Sequence, residues 1–348
     1  MTEWSLSDWR LATLVALIAL LWLVAVGFSV SALLLRLRNI KKAEFWRRLE
    51  DKWEAALPGV LAGTSPVEGM AKLVEPGEEL YFVDFLYRHG RTMTRGQRAV
   101  LAKLAEPNLP VIAARMAKGD SERRARAVQT VAVLGFERHW QEIVAALDDE
   151  SPLVVMTAAR SLAREDGARF GGEVISRLHR FDDWSPKFLT SMLVSMGPGG
   201  APVLRQSLAN PVLLPRLRAV CAEALGQMRD LGSADTAAQV ARSEADPDVL
   251  AACLRLLRRV GGRHHLPVIR QLGMSPDEGV RAQAIGALGR LGAAEDLERL
   301  REALSDTSPW VVIQAARGLR DRGEADWLWK LAAGTDPGSE AALQVLGE

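Results

Sequence analysis

Few residues in this sequence combine types and spacings that could do chemistry. Cys221 and Cys253 are its two cysteines, and two thiols could form a disulfide or hold a soft metal. They occupy the same position in consecutive copies of a repeated helical pattern, however. Neighbouring helices stack roughly 8–10 Å apart, beyond the Cα reach of a disulfide. Neither has a ligand-spaced partner, so both read as small buried apolar residues. His264-His265 raises metal binding, but neighbours on a helix point to different faces and no carboxylate pattern accompanies them. A helix start beside Pro267 is the better account. Gly197-Pro198-Gly199-Gly200 has the glycine density of a phosphate cradle, yet no strand precedes it and no Lys follows, leaving a turn between helices. No nucleophile elbow, Walker loop or zinc spacing is present. The expectation is a protein without catalytic residues, metal or cofactor, and not an enzyme.

The elements that would position any site are a series of similar segments. They are SPLVVMTAARSLA from Ser151, SPKFLTSMLVSMG from Ser185, LPRLRAVCAEALG from Leu214, DPDVLAACLRLLRRVG from Asp246, SPDEGVRAQAIGALGRLG from Ser275 and SPWVVIQAARGLRDRG from Ser308. Their prolines, Pro152, Pro186, Pro215, Pro247, Pro276 and Pro309, recur about every thirty residues, the period of a stacked helical repeat. SERRARAVQTVAVLG from Ser121 matches without the Pro. Each copy pairs apolar residues two helical turns apart: Val154 with Leu162, Phe188 with Met196, Leu217 with Leu225, Val249 with Leu257, Val280 with Leu288, Val311 with Leu319. Midway stand Ala158, Met192, Cys221, Cys253, Ala284 and Ala315. Such positions share one helix face, and a small central residue lets a neighbouring helix come close. Pro at the first turn pre-sets φ, a preceding Ser or Asp can cap, and the Gly after Leu134, Met196, Leu225 and Leu288 is expected to end a helix. A second apolar segment follows most copies, as in HWQEIVAALDD and ADWLWKLAAG. One helix pair cannot bury its apolar face alone, whereas a stack can.

One segment has a different solvent. Leu11 to Leu35 carries no charge and would reach about 37 Å as a helix, enough for a hydrocarbon core of roughly 30 Å. The run is too long for a cleaved signal, and MTEWSLSDWR lacks a basic leading region, so a retained transmembrane helix is expected. Basic residues follow it closely: Arg36, Arg38, Lys41, Lys42, Arg47 and Arg48. Basic flanks stay cytoplasmic, which places residues 1–10 outside, with Trp4 and Trp9 at the outer interface, and the rest of the chain inside. Residues 36–92 read as a juxtamembrane helical linker. Its stripe of Phe45, Trp46, Leu49 and Trp53 either lies on the lipid surface or continues the spanning helix and packs on the domain behind.

The repeats resemble the HEAT repeat, and more closely the short bacterial HEAT-like variety found also in phycobilisome lyases, on the Pro-opened helices and the A-L-G-x-L-G ending seen at Ala287 to Gly292. The resemblance covers about residues 93 to 340. The fold expected is all-α: one transmembrane helix (11–35), then a HEAT-like α-solenoid of about seven to eight helix pairs (93–348). It implies a scaffold, since such solenoids offer extended binding surfaces. Membrane-anchored bacterial proteins of this layout look like accessory subunits of envelope machineries, including glycosyltransferases that export polysaccharide. The alternative the resemblance carries is a lyase-like or chaperone-like factor attaching a bilin. A net charge of +1, from 44 basic and 43 acidic residues, argues against nucleic acid as the chief partner, and two cysteines fit a reducing compartment.

A protein partner, itself an integral membrane protein or complex, is therefore expected at the cytoplasmic face of the bacterial inner membrane. Trp184 in the FDDW loop and Trp310 at a helix start are large residues of the kind that anchor interfaces. Arg160, Arg255 and Arg317 share one register position and would form a basic row along the stack, or simply the solvated side of each first helix. Trp327 and Trp329 could instead seal an end of the stack.

Overall fold

The computed structural model describes residues 6–181 and 184–348. Among these the chain is helical with no strand, as the repeat pattern requires. It divides into two compact units, Met1–Pro110 and Val111–Glu348.

The first unit is built on α1 (Leu6–Leu61), a helix of 56 residues that would extend about 84 Å. Its Thr13–Leu33 stretch has a mean hydropathy of 2.5, and none of that window is buried. By length and composition it is a candidate membrane span, the one such helix among the described residues. Beyond it α1 continues without a break and becomes one-sided. Leu49, Trp53, Leu57 and Val60 are buried against α2 (Val67–Ala71), α3 (Glu79–Gly90) and α4 (Arg95–Ala105). Trp53 is fully buried, its ring 5.1 Å from Phe82 and 5.5 Å from Phe85. Trp46 meets Tyr81 edge-on at 4.8 Å, and the Arg88 guanidinium lies over the Trp46 ring, 4.9 Å from its centroid, while pairing with Glu50 and Asp84. Of the two sequence readings of this stripe, continuation of the helix with packing on the elements behind is the one observed. Aromatic rings of this size bury enough apolar area to hold a small helical unit together. α4, placed with the repeats in the sequence reading, clusters with this first unit.

The second unit runs α5 (Leu109–Ala114), α6 (Ser121–Leu134), α7 (Phe136–Ala145), α8 (Pro152–Arg177), α9 (Pro186–Val194), α10 (Gly197–Ala209), α11 (Pro215–Met228), α12 (Ser233–Ser243), α13 (Pro247–Val260), α14 (Leu266–Leu272), α15 (Glu278–Leu291), α16 (Asp296–Glu302), α17 (Pro309–Asp321), α18 (Ala325–Ala332) and α19 (Ser339–Leu346), with α5 straddling the boundary. First helices pack on first helices, α6 on α8, α11 on α13, α13 on α15 and α15 on α17, while α10, α12 and α14 follow one another as the second layer. α8 holds both helices of its repeat, joined at Asp166, whose φ of −153° and ψ of 73° break the helix. Its carboxylate accepts from the Arg169 N–H at 3.1 Å and so restarts the second half.

The register residues behave as their spacing demands. The triplets Val154/Ala158/Leu162, Leu217/Cys221/Leu225, Val249/Cys253/Leu257, Val280/Ala284/Leu288 and Val311/Ala315/Leu319 are all buried. Phe188 is the exception, half-buried at the edge of its repeat.

Three local expectations are corrected. Pro152, Pro186, Pro215, Pro247 and Pro309 open their helices, but Pro276 lies ahead of its helix. There Asp277 is the cap, accepting from the Val280 N–H at 2.8 Å, because a carboxylate one residue after the Pro competes better for those N–H groups. Asp246 caps as expected, whereas Ser151, Ser185 and Ser308 make no side-chain cap bond. Finally, Gly226 and Gly289 lie inside their helices instead of ending them. At Gly289 the reason is close approach: a Cβ there would stand 2.6 Å from the Cα of Gly318 on α17. The end of α11 falls instead on Arg229, in the left-handed region at φ 54°.

Candidate interaction surface

A set of buried or half-buried charges joins successive repeats. On the first helices, Arg124 binds Asp149 through two bonds of 2.8 and 2.9 Å, and Arg281 binds Asp306 through two of 2.9 Å. Arg218, buried, pairs with Glu244 and donates to the Leu208 carbonyl at 3.0 Å. Each acid precedes the next first helix, so these pairs hold the start of one first helix against the start of the next. The same oxygens serve the linker backbone: Asp149 accepts from Ser151 N–H and Asp306 from Ser308 N–H, each at 2.8 Å. The Arg281 bonds hold the Asp306 carboxyl below the usual carboxylate range against the opposing effect of burial. At Asp149 burial is the largest influence and pushes upward, yet the bonds from Arg124 and Ser151 leave the net direction downward.

A second set joins second helices. Arg270 binds Asp296 at 2.8 and 3.0 Å, Arg301 binds Glu324 at 2.8 Å, and Arg205 approaches Asp230 at 3.6 Å. Asp296 is fully buried and also accepts from the Ala293 N–H at 2.8 Å. Sequence reasoning missed both sets, although a signal exists: Arg124 to Asp149 and Arg281 to Asp306 span the same separation, 25 residues.

The residues singled out as contacts are placed apart. Trp310 is 67% exposed at the start of α17. Leu153, Leu214 and Met274 are exposed at the start of α8 or in the linkers leading into α11 and α15, the places where the first set of pairs brings successive helix starts together. Trp184 is half-buried, its ring 5.3 Å from Phe188 and its carbonyl accepting from Arg216. Arg160 is exposed, with no ion pair among the described residues. Arg255 pairs with Glu223, which also binds Arg259 at 3.0 Å, and Arg317 pairs with Glu348 at 2.5 Å. Two members of the basic row are thus engaged within the chain. Trp329 is exposed, while Trp327 lies 5.3 Å under Arg301. Arg36 is exposed. The expectations for Trp4, and for the side chains of Trp9, Arg38, Lys41 and Lys42, fall outside the described residues.

Cys221 and Cys253 are free and fully buried, and burial pushes both thiols up to about 12. A thiol so far from ionising is a poor nucleophile or ligand at neutral pH. Gly197–Gly200 forms the first turn of α10, with Gly197 at φ 64° supplying the bend from α9. His264 and His265 depart from the reading that neighbours diverge. They sit on a 3₁₀ turn ahead of α14 with rings 3.8 Å apart, and both reach Asp235 on α12.

The family comparison agrees with this architecture over the last repeats. The HEAT-repeat family profile matches residues 234–320 and 268–347. No curated protein matches the chain. Among solved structures, the complex of CpcE and CpcF of phycocyanin lyase from Nostoc sp. PCC7120 is similar at 17% identity, over 68% of this chain and 86% of that one, with a TM-score of 0.33. The karyopherin Kap121p, bound to the extreme C-terminus of the protein phosphatase Cdc14p, is similar at 14% identity, over 81% of this chain and 40% of that one, with a TM-score of 0.45. An engineered protein is similar at 17% identity, over 76% and 95%, with a TM-score of 0.26. The profile falls on α12 to α19, which are therefore HEAT repeats, and the same buried register runs back through α11 and α8.

Proposed function

We propose that this protein is a non-enzymatic scaffold, held by a single spanning helix at the cytoplasmic face of a bacterial inner membrane, whose repeats bind a protein partner. The observation that carries the reading is the pairing, in one chain, of an apolar helix stretch with no buried residue and an array of HEAT repeats. The repeats leave exposed apolar side chains at helix starts, Trp310 foremost, while arginines such as Arg270 and Arg281 are committed to carboxylates of the next repeat. Exposed large aromatic residues of this kind anchor protein interfaces. Arg36, Arg38, Lys41, Lys42, Arg47 and Arg48 follow the span directly and orient it with the repeats inside. Tethering then raises the effective concentration of the repeats toward any partner in the same bilayer. The partner in this reading is an integral membrane protein or complex, an envelope polysaccharide glycosyltransferase machinery by the layout the chain resembles.

The test is capture from detergent-solubilised membranes, paired with protease added to intact spheroplasts. The repeats should resist external protease, and an integral membrane partner should co-purify with the parent chain but poorly with Trp310→Ala. Digestion of the C-terminal unit from outside overturns the orientation, and recovery of the chain in the soluble fraction overturns the tether. Co-expression with a bilin should give colourless protein. A covalently pigmented product would favour the lyase-like reading instead.

A further inference from the structure

The inter-repeat joints described above use arginine, which stays charged at any physiological pH. The joint between α12 and α14 differs. Its acid, Asp235, lies on the earlier helix and its bases, His264 and His265, lie on the turn before the later one. One ligand atom from each of the three residues lies within 4.8 Å of the others. The Asp235 Oδ1 is 3.0 Å from His265 Nε2 and 3.5 Å from His264 Nε2. Two ligands on a tetrahedral ion at zinc–nitrogen and zinc–oxygen bond lengths of about 2.0–2.1 Å stand about 3.3 Å apart, so the two carboxylate–imidazole separations are close to those of ligands on one ion, and the third lies within 4.8 Å.

From this geometry we propose that Asp235, His264 and His265 bind a divalent transition metal of the zinc, cobalt and nickel class. Two imidazoles and a carboxylate suit these ions, and not calcium or magnesium, which prefer oxygen ligands alone. The three residues also divide the work. His265 is buried and rigidly placed, whereas the side chains of His264 and Asp235 are 71% and 88% exposed and free to adjust around an ion, with water completing the coordination.

Loading the site requires one local change. The Gly262 N–H donates to His265 Nδ1 at 3.0 Å, so the neutral ring carries its proton on Nε2, facing Asp235. A metal at Nε2 moves that proton to Nδ1, where Gly262 now points a hydrogen. Turning the peptide between Gly261 and Gly262 removes the conflict. It leaves intact the bond from the His265 N–H to the Gly262 carbonyl, which belongs to the next peptide. The rearrangement makes the site weaker than a closed four-ligand structural site, and the bound ion would tie α12 to α14 as the Arg270–Asp296 pair ties α14 to α16.

The experiment uses the full chain in detergent, titrated with cobalt(II) and, separately, with zinc(II). Expected are visible cobalt d–d bands that saturate at one equivalent and are bleached by zinc, together with a zinc-dependent rise in Tm. Asp235→Asn and His264→Gln, both at exposed positions, should abolish both signals, each variant's zinc-dependent shift being read against its own metal-free Tm. The proposal is overturned if the parent chain gives no bands and no Tm shift, or if the two variants bind as the parent does.

Discussion

The close crossing of α15 and α17 supports a prediction whose sign depends on tertiary structure. Gly→Ala in a helix interior ordinarily stabilises by about 0.8–1.0 kcal/mol, because alanine is the better helix former. At Gly289 the added methyl would lie 2.6 Å from the Gly318 Cα, against a preferred carbon–carbon separation of about 3.5–4.0 Å. Backbone cannot rotate away as a side chain can, so the two helices must part by roughly 1 Å along a fully packed seam. Such overpacking costs about 1–3 kcal/mol, which offsets the propensity gain and leaves a net loss of up to about 2 kcal/mol. For a unit of this size each kcal/mol corresponds to about 2–4 °C, so Gly289→Ala should lower Tm by up to about 8 °C in far-ultraviolet circular dichroism of the purified chain. Gly172 in α8 is the matched control, a helical glycine whose Cβ would meet nothing within 4 Å. Gly172→Ala should raise Tm by about 2–4 °C, the full propensity gain. Equal stabilisation by both substitutions would refute the argument that repeats are held at backbone contact along this seam.

Acid should loosen the unit from its joints. Asp149, Asp296 and Asp306 are held below their ordinary value in the folded chain, so their stabilisation is present above the unfolded carboxylate range and is lost as pH falls through the folded values. Urea midpoints should therefore be flat near neutrality and fall below about pH 4, and a midpoint rising on acidification would contradict the assignment. Removing one partner of a paired joint, as in Asp306→Ala, should cost about 1–3 kcal/mol by leaving Arg281 uncompensated, whereas the exposed Arg160→Ala should stay within about 0.5 kcal/mol. Equal urea midpoints for the two variants would count against the joint. In the first unit, Trp53→Ala should cost about 3–5 kcal/mol and release α3 from α1, read as lost protection of α3 in hydrogen exchange. Trp310→Ala should reduce partner recovery with Tm within about 1 °C of the parent, given its exposure.

How legible was this from sequence? The helical repeats were, down to which register residues are buried, Phe188 apart, because a period of 3.6 residues assigns a face without reference to any neighbour. Val249, Cys253 and Leu257 needed only their spacing to be placed inside. The apolar run before Leu35 was equally plain, since membrane-spanning capacity depends on length and composition alone. The roles of the glycines were half legible. A Gly after a helical run reads as an ending, and only the passage of another backbone at Gly318 shows that Gly289 is there to let two helices touch.

What the chain's local pattern settled by itself was therefore the helix type, the buried face and the repeat period, all properties of residues a few positions apart. Tertiary structure alone decided which charges are available. Arg255 and Arg317 read as an open basic row until Glu223 and Glu348 were found beside them, and His264 and His265 read as divergent until a 3₁₀ turn brought both to Asp235. The physical reason is that an ion pair or ligand set depends on the superposition of one repeat upon the next. That superposition follows from side-chain packing across the whole interface, which no single helix encodes.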